Sequence, residues 1–294
     1  NDYYLLYLNH MKFKESNSIS QIGVVITDVD IAKPLSKDEL NMIYDLWVKN
    51  AVAIFPNQKL THDEYNDFAM QFGSFGDEPF LTPLKSQVHI VELRRKATEE
   101  AMHFGGSWHS DWSFQPSPPA ATMLHSKIVP PFGGDTLFSN SALAYDEMSS
   151  VLKNKIKNLN GIHSAKLPYA DNGFYALENK KRTMKIKSSK SANKQHLHPL
   201  VREHLNTQRK SLFINPVYTV GVEGMDDMEA FEFLSELFEH MTQDKYIYRH
   251  QWDKDMLIMW DNRSVMHMAE GGYDGYERLM HRITIAGETP IKSI

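Results

Sequence analysis

The sequence predicts an α+β fold with a double-stranded β-helix (jelly-roll) core and flanking helices. Two capped helices surround a short buried strand near the start of the chain, and many short strand-like segments follow, separated by long excursions. The chain has 294 residues, of which 41% are hydrophobic, so it is long enough to bury a sizeable core. We therefore predict a single domain over residues 1–294.

Two capping boxes predict the N-terminal helices. Ser36 and Thr61 each place a hydroxyl at the N-cap, with a glutamate three residues later and a helical apolar pattern after it. The first helix is predicted to run to about Lys49, and the second to end at Gly73. Between them, residues 51–55 are apolar and are followed by a proline, which predicts a short buried strand.

The later elements follow from the spacing of apolar residues. Strands are predicted at 121–127, 211–215, 246–252, 256–260 and 279–286, and helical segments at 141–149, 151–159 and 228–240. The buried side of the last helix is predicted to carry Phe231, Phe233, Leu234, Leu237 and Phe238. Seven lysines and arginines lie among serines and asparagines in 180–194. They predict a flexible insertion over 170–197 that is an exposed loop, an active-site lid or an anionic docking patch.

Composition excludes several classes of protein. The chain has no cysteine, which excludes disulfides, cysteine-ligated Fe–S clusters and thiol catalysis. The net charge of −5 argues against a nucleic-acid partner, and no run of 20 apolar residues indicates a membrane span. A cysteine-free chain is compatible with a reducing cytoplasm, where we expect the protein.

The first ten residues lack the basic flank and cleavage site of a secretory signal. Met11 is either the native initiator, in which case residues 1–10 are not native, or an internal methionine. Both interpretations stay open.

The strongest chemical signal is the pair His109 and Asp111 together with the distant His267 and Arg278. Side chains two residues apart point to the same face of an extended strand, which is how we expect His109 and Asp111 to lie. Two histidines and one carboxylate on one face of a metal are typical of non-haem Fe(II) oxygenases. An arginine nearby can hold a carboxylate through two hydrogen bonds.

Most histidines have other roles. Taken singly, each of the 14 histidines is more readily explained as a surface or core residue than as a ligand. Four histidines are not predicted to be ligands, because none has a carboxylate two residues away in a strand-like context: His103, His125, His163 and His281.

Four stretches carry a resemblance to a known family. They are Gly-Gly-Ser-Trp-His-Ser-Asp-Trp-Ser-Phe at 105–114, Pro-Pro-Phe-Gly-Gly-Asp-Thr-Leu-Phe at 130–138, Trp-Asp-Asn-Arg at 260–263 and Arg-Leu-Met-His-Arg at 278–282. In order and spacing the chain resembles the taurine dioxygenase (TauD/TfdA) family of Fe(II)- and 2-oxoglutarate-dependent oxygenases over nearly its whole length. That family has a jelly-roll core, in agreement with the strand pattern.

The resemblance implies a role for each motif residue. His109, Asp111 and His267 would hold Fe(II), and Thr136 and Arg278 would bind the distal carboxylate of 2-oxoglutarate. The reaction implied is hydroxylation of a small organic molecule by O2, with release of succinate and CO2. The resemblance also implies a homo-oligomer, a dimer or a tetramer.

The substrate is less clear from the sequence. Arg282 matches the position that contacts the sulfonate in taurine-type members, which favours an anionic or zwitterionic substrate. Glu78 stands where those members have a histidine, Gly105 where they have an asparagine, and Tyr169 and Tyr218 where they have phenylalanines. A carboxylate repels a sulfonate, so taurine is not expected to be the preferred substrate. Glu78 is instead expected to meet a cationic or hydroxyl group.

Other functions stay open at this point. The same chemistry could act on taurine or another sulfonate, an aryloxy acid or a quaternary amine. A metal-binding cupin-like protein without catalysis is an alternative, but such a protein needs no arginine clamp for a keto acid. A zinc hydrolase is disfavoured, because no general base stands beside the three ligands in the motif.

Overall fold

The computed structural model describes residues 11–292, so the interpretations of residues 1–10 fall outside the described residues. The structure is a mixed α+β fold that is rich in strands. The strands are β1 (Lys12–Glu15), β2 (Val24–Thr27), β3 (Val52–Phe55), β4 (Pro83–Leu84), β5 (Gln87–Arg95), β6 (Ala121–Ile128), β7 (Thr136–Asn140), β8 (Asn160–Ser164), β9 (Gln195–Pro199), β10 (Val201–Glu203), β11 (Lys210–Leu212), β12 (Thr219–Val222), β13 (Ile247–His250), β14 (Leu257–Asp261), β15 (Val265–Ala269), β16 (Arg278–Ile285) and β17 (Ile291–Lys292).

The helices lie between these strands. They are α1 (Lys37–Asn50), α2 (His62–Met70), α3 (Ser141–Asp146), α4 (Ser150–Ile156), α5 (Lys166–Tyr169), α6 (Phe174–Leu177) and α7 (Asp227–Met241). Single 3-10 turns are present at Lys190–Asn193 and Asp244–Tyr246. No helix in the described part of the chain is long and apolar enough to cross a membrane.

One large sheet organises the fold. Its eight strands run in the order β1-β2-β3-β14-β6-β16-β5-β4, and β14, β6 and β16 form an antiparallel centre. Helices α1 and α2 pack on this sheet through Ile43, Trp47 and Phe68, which join Met123 and Ile283 in one buried apolar cluster. The central strands are buried along most of their length but carry polar residues among the apolar ones, such as Thr122 in β6 and Arg282 in β16.

Three smaller sheets have the strand orders β13-β7-β15, β12-β8-β9 and β11-β10-β17. The first of these matters most for the site, because β15 carries His267 and β7 begins at Thr136. The large sheet contributes Thr122 from β6, and Arg278 and Arg282 from β16. Residues from two sheets therefore meet at one place.

The predicted helix starts are confirmed. Ser36 and Thr61 both form complete capping boxes with the glutamates three residues later. In α7 the buried residues include Phe233, Leu234 and Leu237 as predicted. The prediction for Phe231 is wrong, because its side chain is 68% exposed. The apolar stripe of this helix is narrower than the sequence pattern indicates.

The predicted strand at His109 and Asp111 is wrong in form. His109 makes only an isolated antiparallel bridge with His267, and the chain turns from Asp111 onward. Trp112 has a φ of 46°, a left-handed conformation that a strand residue does not adopt. The two side chains come together through a bridge followed by a turn, and not through alternation along a strand.

A buried ionic cluster joins β14 to β10. The Asp261 carboxylate is fully buried, accepts hydrogen bonds from Arg263 Nε at 2.8 Å and Arg263 Nη2 at 2.9 Å, and shares one of 2.9 Å with His204 Nε2. Burial opposes ionisation, yet Arg263 and His204 hold the pKa of Asp261 well below its usual value. The carboxylate is therefore charged in the folded protein at neutral pH.

We expect Asp261→Asn to lower the free energy of unfolding by about 3–5 kcal/mol at pH 7, because it removes the carboxylate bonded to the buried Arg263 and leaves only Glu288, 3.8 Å away, as a counter-charge. A carboxylate with a depressed pKa stabilises the fold above its unfolded pKa of about 4, so the deficit should shrink as the pH falls below that value. Denaturant unfolding at pH 7 and at about pH 2.5, below the unfolded pKa, measures both effects. Asp146→Asn, which removes an exposed partner of Arg209, is the control and should cost less than about 1 kcal/mol.

Candidate functional site

The structure brings together the three residues of the predicted metal triad. One nitrogen from each of His109 and His267 and one oxygen of Asp111 lie within 4.8 Å of one another, and all three residues are buried. His109 Nε2 is 3.6 Å from Asp111 Oδ1, and His267 Nε2 is 3.7 Å from Asp111 Oδ2. Separations of this size leave room for one cation between the donors. This triad is the single group of three or more such donors among residues 11–292.

The two histidines are fixed by the main chain. The His109 amide donates to the His267 carbonyl at 3.0 Å, and the His267 amide donates to the His109 carbonyl at 2.8 Å. His109 Nδ1 is 2.7 Å from the Ser107 carbonyl, so Nδ1 carries the proton and Nε2 presents its lone pair to the triad. Burial and the neighbouring His109 lower the pKa of His267 to about 3, which keeps this imidazole neutral and able to bind a metal.

The carboxylate of Asp111 is oriented by two donors. Thr122 Oγ1 donates to Oδ2 at 2.6 Å and Arg282 Nη1 donates to Oδ1 at 2.9 Å. Burial opposes ionisation of Asp111, but Arg282 and His267 hold its pKa well below the usual value. The donor set is therefore Nε2 of His109, the neutral imidazole of His267 and the carboxylate anion of Asp111.

The Trp-Asp-Asn-Arg motif orients the Asp111 carboxylate indirectly, through a chain of hydrogen bonds that ends at Thr122. Trp260 Nε1 donates to Asn262 Oδ1 at 3.0 Å, and Asn262 Nδ2 donates to Thr122 Oγ1 at 2.9 Å. Thr122 thus accepts from one side and donates to Asp111 on the other. The sequence analysis did not find Thr122, because it lies eleven residues after Asp111 in a strand that reads as core.

A cavity next to the triad ends at two other predicted residues. We call it the arginine cavity; it is lined by His109 and His267 at one side and by Thr136 and Arg278 at the other. Arg278 is buried, and its Nε and Nη2 atoms have no hydrogen-bond partner among residues 11–292. Trp252 Nε1 donates to Thr136 Oγ1 at 3.0 Å, which leaves the Thr136 hydroxyl proton free to donate. A carboxylate in this cavity would meet donors that otherwise stay unsatisfied.

Two glycines make room for this arrangement. A side chain on Gly133 would collide with the Gly272 carbonyl at 2.6 Å, and a Cβ on Gly134 would lie 3.3 Å from Arg278 Nε. Both have positive φ angles, of 69° and 73°. The glycine pair therefore lets the turn before β7 approach Arg278 closely.

The two predicted substrate residues Arg282 and Glu78 bind each other. Arg282 Nε donates to Glu78 Oε1 at 3.0 Å, and Trp112 Nε1 donates to Glu78 Oε2 at 2.8 Å. Both oxygens of Glu78 are thus engaged, and Glu78 is not among the residues that line either cavity at the triad. The expectation that Glu78 meets a cationic substrate group is therefore revised, because protein donors already satisfy it.

A second cavity opens beside the triad, with a volume of about 270 Å³. We call it the aromatic cavity. His109, Asp111 and Arg282 lie at its base, and Tyr169 and Tyr218 line it as predicted. Its other aromatic walls, which the sequence analysis missed, are Phe104, Trp112, Phe174 and Tyr175. Burial raises the pKa of Tyr169 and of Tyr218 well above the usual value, so both hydroxyls stay protonated.

The segment 170–197 packs against both cavities. Phe174 and Tyr175 line the aromatic cavity, and Arg182 and Met184 line the arginine cavity. The Thr183 amide donates to the carboxylate of Glu99 at 2.9 Å. The predicted insertion thus covers the site, and its mobility stays a prediction.

The fold and the site together define a class. Two histidines and one carboxylate converge beside a cavity that ends in an arginine with free donors, and this combination is typical of non-haem oxygenases that use a keto acid. The chain belongs to the taurine catabolism dioxygenase TauD, TfdA family, whose sequence profile matches residues 14–284.

Similar proteins support this assignment. The alpha-ketoglutarate-dependent 2,4-dichlorophenoxyacetate dioxygenase of Cupriavidus pinatubonensis is 33% identical over 257 residues, which cover 82% of this chain and 86% of that protein. An alkylsulfatase of Acinetobacter baylyi is 29% identical over 272 residues, covering 91% and 83% of the two chains. A crystal structure of a taurine dioxygenase from Burkholderia xenovorans has a TM-score of 0.77 at 26% identity, covering 96% and 91%. The predicted resemblance and the prediction of a 2-oxoglutarate-dependent dioxygenase are confirmed.

Proposed function

We propose that this protein is an Fe(II)- and 2-oxoglutarate-dependent dioxygenase that hydroxylates a hydrophobic organic anion, with an aryloxy carboxylate as the favoured substrate class. One observation carries the proposal: the two histidines of the metal triad, His109 and His267, share a cavity with Arg278, whose Nε and Nη2 lack partners among the described residues. A metal at the triad and a keto diacid reaching Arg278 would satisfy both ends of that cavity.

The donor chemistry fits Fe(II). Two neutral imidazoles and a carboxylate suit a divalent first-row metal, and three protein ligands leave positions for a bidentate keto acid and for O2. Once bound, the iron and 2-oxoglutarate supply the oxygen chemistry, in which 2-oxoglutarate becomes succinate and CO2 as a substrate C–H becomes C–OH. A solved relative, AAD-2, which has a TM-score of 0.74 at 26% identity and covers 96% of this chain and 100% of that chain, is described in complex with Mn(II) and N-oxalylglycine.

The chain's own residues do the positioning. Arg278 and Thr136 would hold the distal carboxylate of 2-oxoglutarate through charge-assisted hydrogen bonds, so that its keto-acid end faces the triad. Thr122 and Arg282 hold Asp111 in one orientation. The aromatic side chains around the triad would exclude water from the reacting C–H bond.

The aromatic cavity supports the substrate class. Its walls are aromatic rings, and the cation at its base is Arg282, whose Nη2 atom is buried without a partner among residues 11–292. An aromatic carboxylate would bury its ring against these walls, and its carboxylate would accept a hydrogen bond from Nη2. A quaternary amine fits less well, because it offers no acceptor and would leave the buried Nη2 of Arg282 without a hydrogen bond. Taurine has no apolar body for these walls, so it is not expected to be preferred.

A sulfate ester or sulfonate with an alkyl chain is the second candidate. Three apolar side chains at the edge of the aromatic cavity are exposed, Met102, Leu167 and Phe174. An alkyl chain that extends out of the cavity would cover them, and the relative from Acinetobacter baylyi carries the name alkylsulfatase.

Two other classes are not favoured. A metal-binding protein without catalysis has no use for the unpartnered Arg278, and a zinc hydrolase needs a free general base. Glu78 is held by Arg282 and Trp112, and Glu99, which lines the arginine cavity, accepts a hydrogen bond from the Thr183 amide.

Further properties stay proposals. We propose a jelly-roll core, because the large sheet and the β13-β7-β15 sheet both contribute residues to one site. A single domain over 1–294, a lid role for 170–197, a cytoplasmic location and a homo-oligomeric state (dimer or tetramer) follow from the sequence pattern or the family resemblance.

The test begins without oxygen. Adding Fe(II) and 2-oxoglutarate to the metal-free protein should give a weak visible charge-transfer band, which reports a keto acid chelated to iron. Admitting air with phenoxyacetate, octyl sulfate, taurine or betaine then compares substrate classes through succinate release. We expect phenoxyacetate to stimulate succinate release by more than about tenfold. Hydroxylation of its ether CH2 gives a hemiacetal that breaks down to phenol and glyoxylate, so both should form in step with succinate.

Two outcomes would contradict the proposal at different levels. A colourless anaerobic mixture with tightly retained zinc would replace the oxygenase by a hydrolase or an inert binder. A normal band with efficient turnover of taurine at a low-micromolar Michaelis constant would keep the oxygenase and overturn the substrate class.

A further inference from the structure

The guanidinium of Arg282 is divided between two carboxylates. Its Nε donates to Glu78 at 3.0 Å, its Nη1 donates to Asp111 at 2.9 Å, and its Nη2 is buried without a partner among residues 11–292. The side chains of Arg282 and Glu78 are 4% and 9% exposed, so neither pair is formed in solvent. The guanidinium carbon also lies 5.2 Å from the ring centre of Trp112, which itself donates to Glu78.

This arrangement is not the one that an arginine and a single carboxylate prefer. An isolated pair favours two parallel hydrogen bonds, in which two guanidinium nitrogens face both oxygens of one carboxylate. Here Asp111 accepts a hydrogen bond from one guanidinium nitrogen only. The Nε of Arg282 donates to Glu78 instead, and the second oxygen of Asp111 accepts from Thr122. Because the guanidinium is shared in this way, its Nη2 is buried without an acceptor. A buried donor without an acceptor costs free energy unless a ligand accepts a hydrogen bond from it.

We propose that Glu78 is a positioning residue that fixes Arg282, so that Nη1 orients the metal ligand Asp111 while Nη2 receives the anionic group of the substrate. The inference rests on the proposed function, in which the aromatic cavity holds an organic anion. Glu78 itself touches neither metal nor substrate. It acts on the substrate anion through Arg282, and its second contact, with Trp112 Nε1, holds a wall of the aromatic cavity.

The chemistry of a Glu78→Gln substitution follows from its two neighbours. Both Arg282 Nε and Trp112 Nε1 are donors, whereas an amide offers one accepting atom and one donating atom. Glutamine can therefore satisfy only one of the two, and it carries no charge. We expect Arg282 to turn and place two nitrogens on Asp111, which removes Nη2 from the substrate.

The experiment compares wild-type protein with Glu78→Gln in the iron-loaded form. We expect the KM for phenoxyacetate to rise by about tenfold or more, the size of one lost charge-assisted hydrogen bond, while the KM for 2-oxoglutarate changes by less than about twofold. Calorimetric binding of phenoxyacetate to the Co(II)- and N-oxalylglycine-loaded protein should weaken by the same factor without any turnover. Binding of the uncharged phenoxyacetamide should stay unchanged.

Three variants separate positioning from loss of stability. Glu288→Gln removes a carboxylate 2.7 Å from the fully buried Arg202, outside both cavities, and should lower stability without changing either KM. Glu78→Asp keeps the charge and should recover part of the affinity. In an Arg282→Met background, Glu78→Gln should change phenoxyacetate affinity by less than about twofold, because the residue through which it acts is gone.

A crystal structure of Glu78→Gln gives a readout that needs no substrate. Arg282 in its wild-type position would overturn the proposal, as would an unchanged KM for phenoxyacetate or an equal loss of affinity in the Arg282→Met background. If phenoxyacetate does not bind the wild-type protein, the substrate class fails. In that case the crystal structure of Glu78→Gln, together with the affinities of the wild type and Glu78→Gln for octyl sulfate, decides the role of Glu78.

Discussion

Replacing Asp111 with alanine is expected to abolish hydroxylation and to weaken metal binding by more than about a hundredfold, because loss of a direct ligand should exceed the 10–100-fold cost of losing an outer partner. Asp111 is the anionic member of the triad, and its removal leaves two neutral imidazoles near the buried cation of Arg282. A divalent metal would then face a site with no negative charge. Titration with Co(II), followed by its visible absorption, measures the affinity, and product formation measures turnover.

The control for this variant is Asp146→Ala. It removes a carboxylate of the same size whose side chain is exposed and paired with Arg209, and it should leave metal affinity and turnover unchanged. The circular dichroism of Asp111→Ala should match that of the wild type, because backbone pairing with neighbouring strands holds β15 and β6 in their sheets. Wild-type metal affinity in Asp111→Ala would remove this residue from the site and require another ligand.

Replacing Arg278 with alanine is expected to weaken 2-oxoglutarate binding by about 2–4 kcal/mol, or roughly 30- to 1000-fold, with a smaller effect on the triad's affinity for metal. The guanidinium is buried at the far end of the arginine cavity and has two nitrogens without partners in the described chain. The distal carboxylate of 2-oxoglutarate is the group that matches them. The KM for 2-oxoglutarate and anaerobic titration of the charge-transfer band both report the change.

A keto acid without the distal carboxylate makes this test specific. The wild type should discriminate strongly between 2-oxoglutarate and 2-oxovalerate, which has a methyl group in place of that carboxylate, whereas Arg278→Ala should bind the two with similar affinity. Arg209→Ala, a surface arginine paired with Asp146, controls for the loss of one positive charge. Undiminished discrimination in Arg278→Ala would assign the carboxylate to another residue.

Local signals explain what could be predicted from the sequence. The helix starts at Ser36 and Thr61 depend on hydrogen bonds three residues apart, so a short window contains all the information. The triad and Arg278 could be found because chemistry limits which residue types bind a metal or a carboxylate. Strand β16 was predicted within one residue at either end, because β-branched residues such as Ile283, Thr284 and Ile285 favour a strand there.

Contacts between distant residues explain what could not be predicted. The partner of Glu78 lies 204 residues away, so the sequence indicated a charge near the substrate and gave no sign that Arg282 already neutralises it. A strand was expected through His109 and Asp111, but the chain turns at Trp112. One bridge between His109 and His267 aligns the two histidines, and that pairing between distant residues is not visible in the local sequence. The aromatic walls come from separate loops and short helices whose rings have no shared spacing in the chain.

The backbone bridge between His109 and His267 has a consequence for how this protein can diversify. Because main-chain hydrogen bonds set the separation of the two imidazoles, that separation does not depend on which side chains form the neighbouring walls. The walls of the aromatic cavity come largely from the loop at 102–107 and from α5 and α6, outside the strands that carry His267 and Arg278. Mutations can therefore reshape the range of accepted molecules while the reactive machinery stays intact, so new specificities can evolve in small steps from a working enzyme.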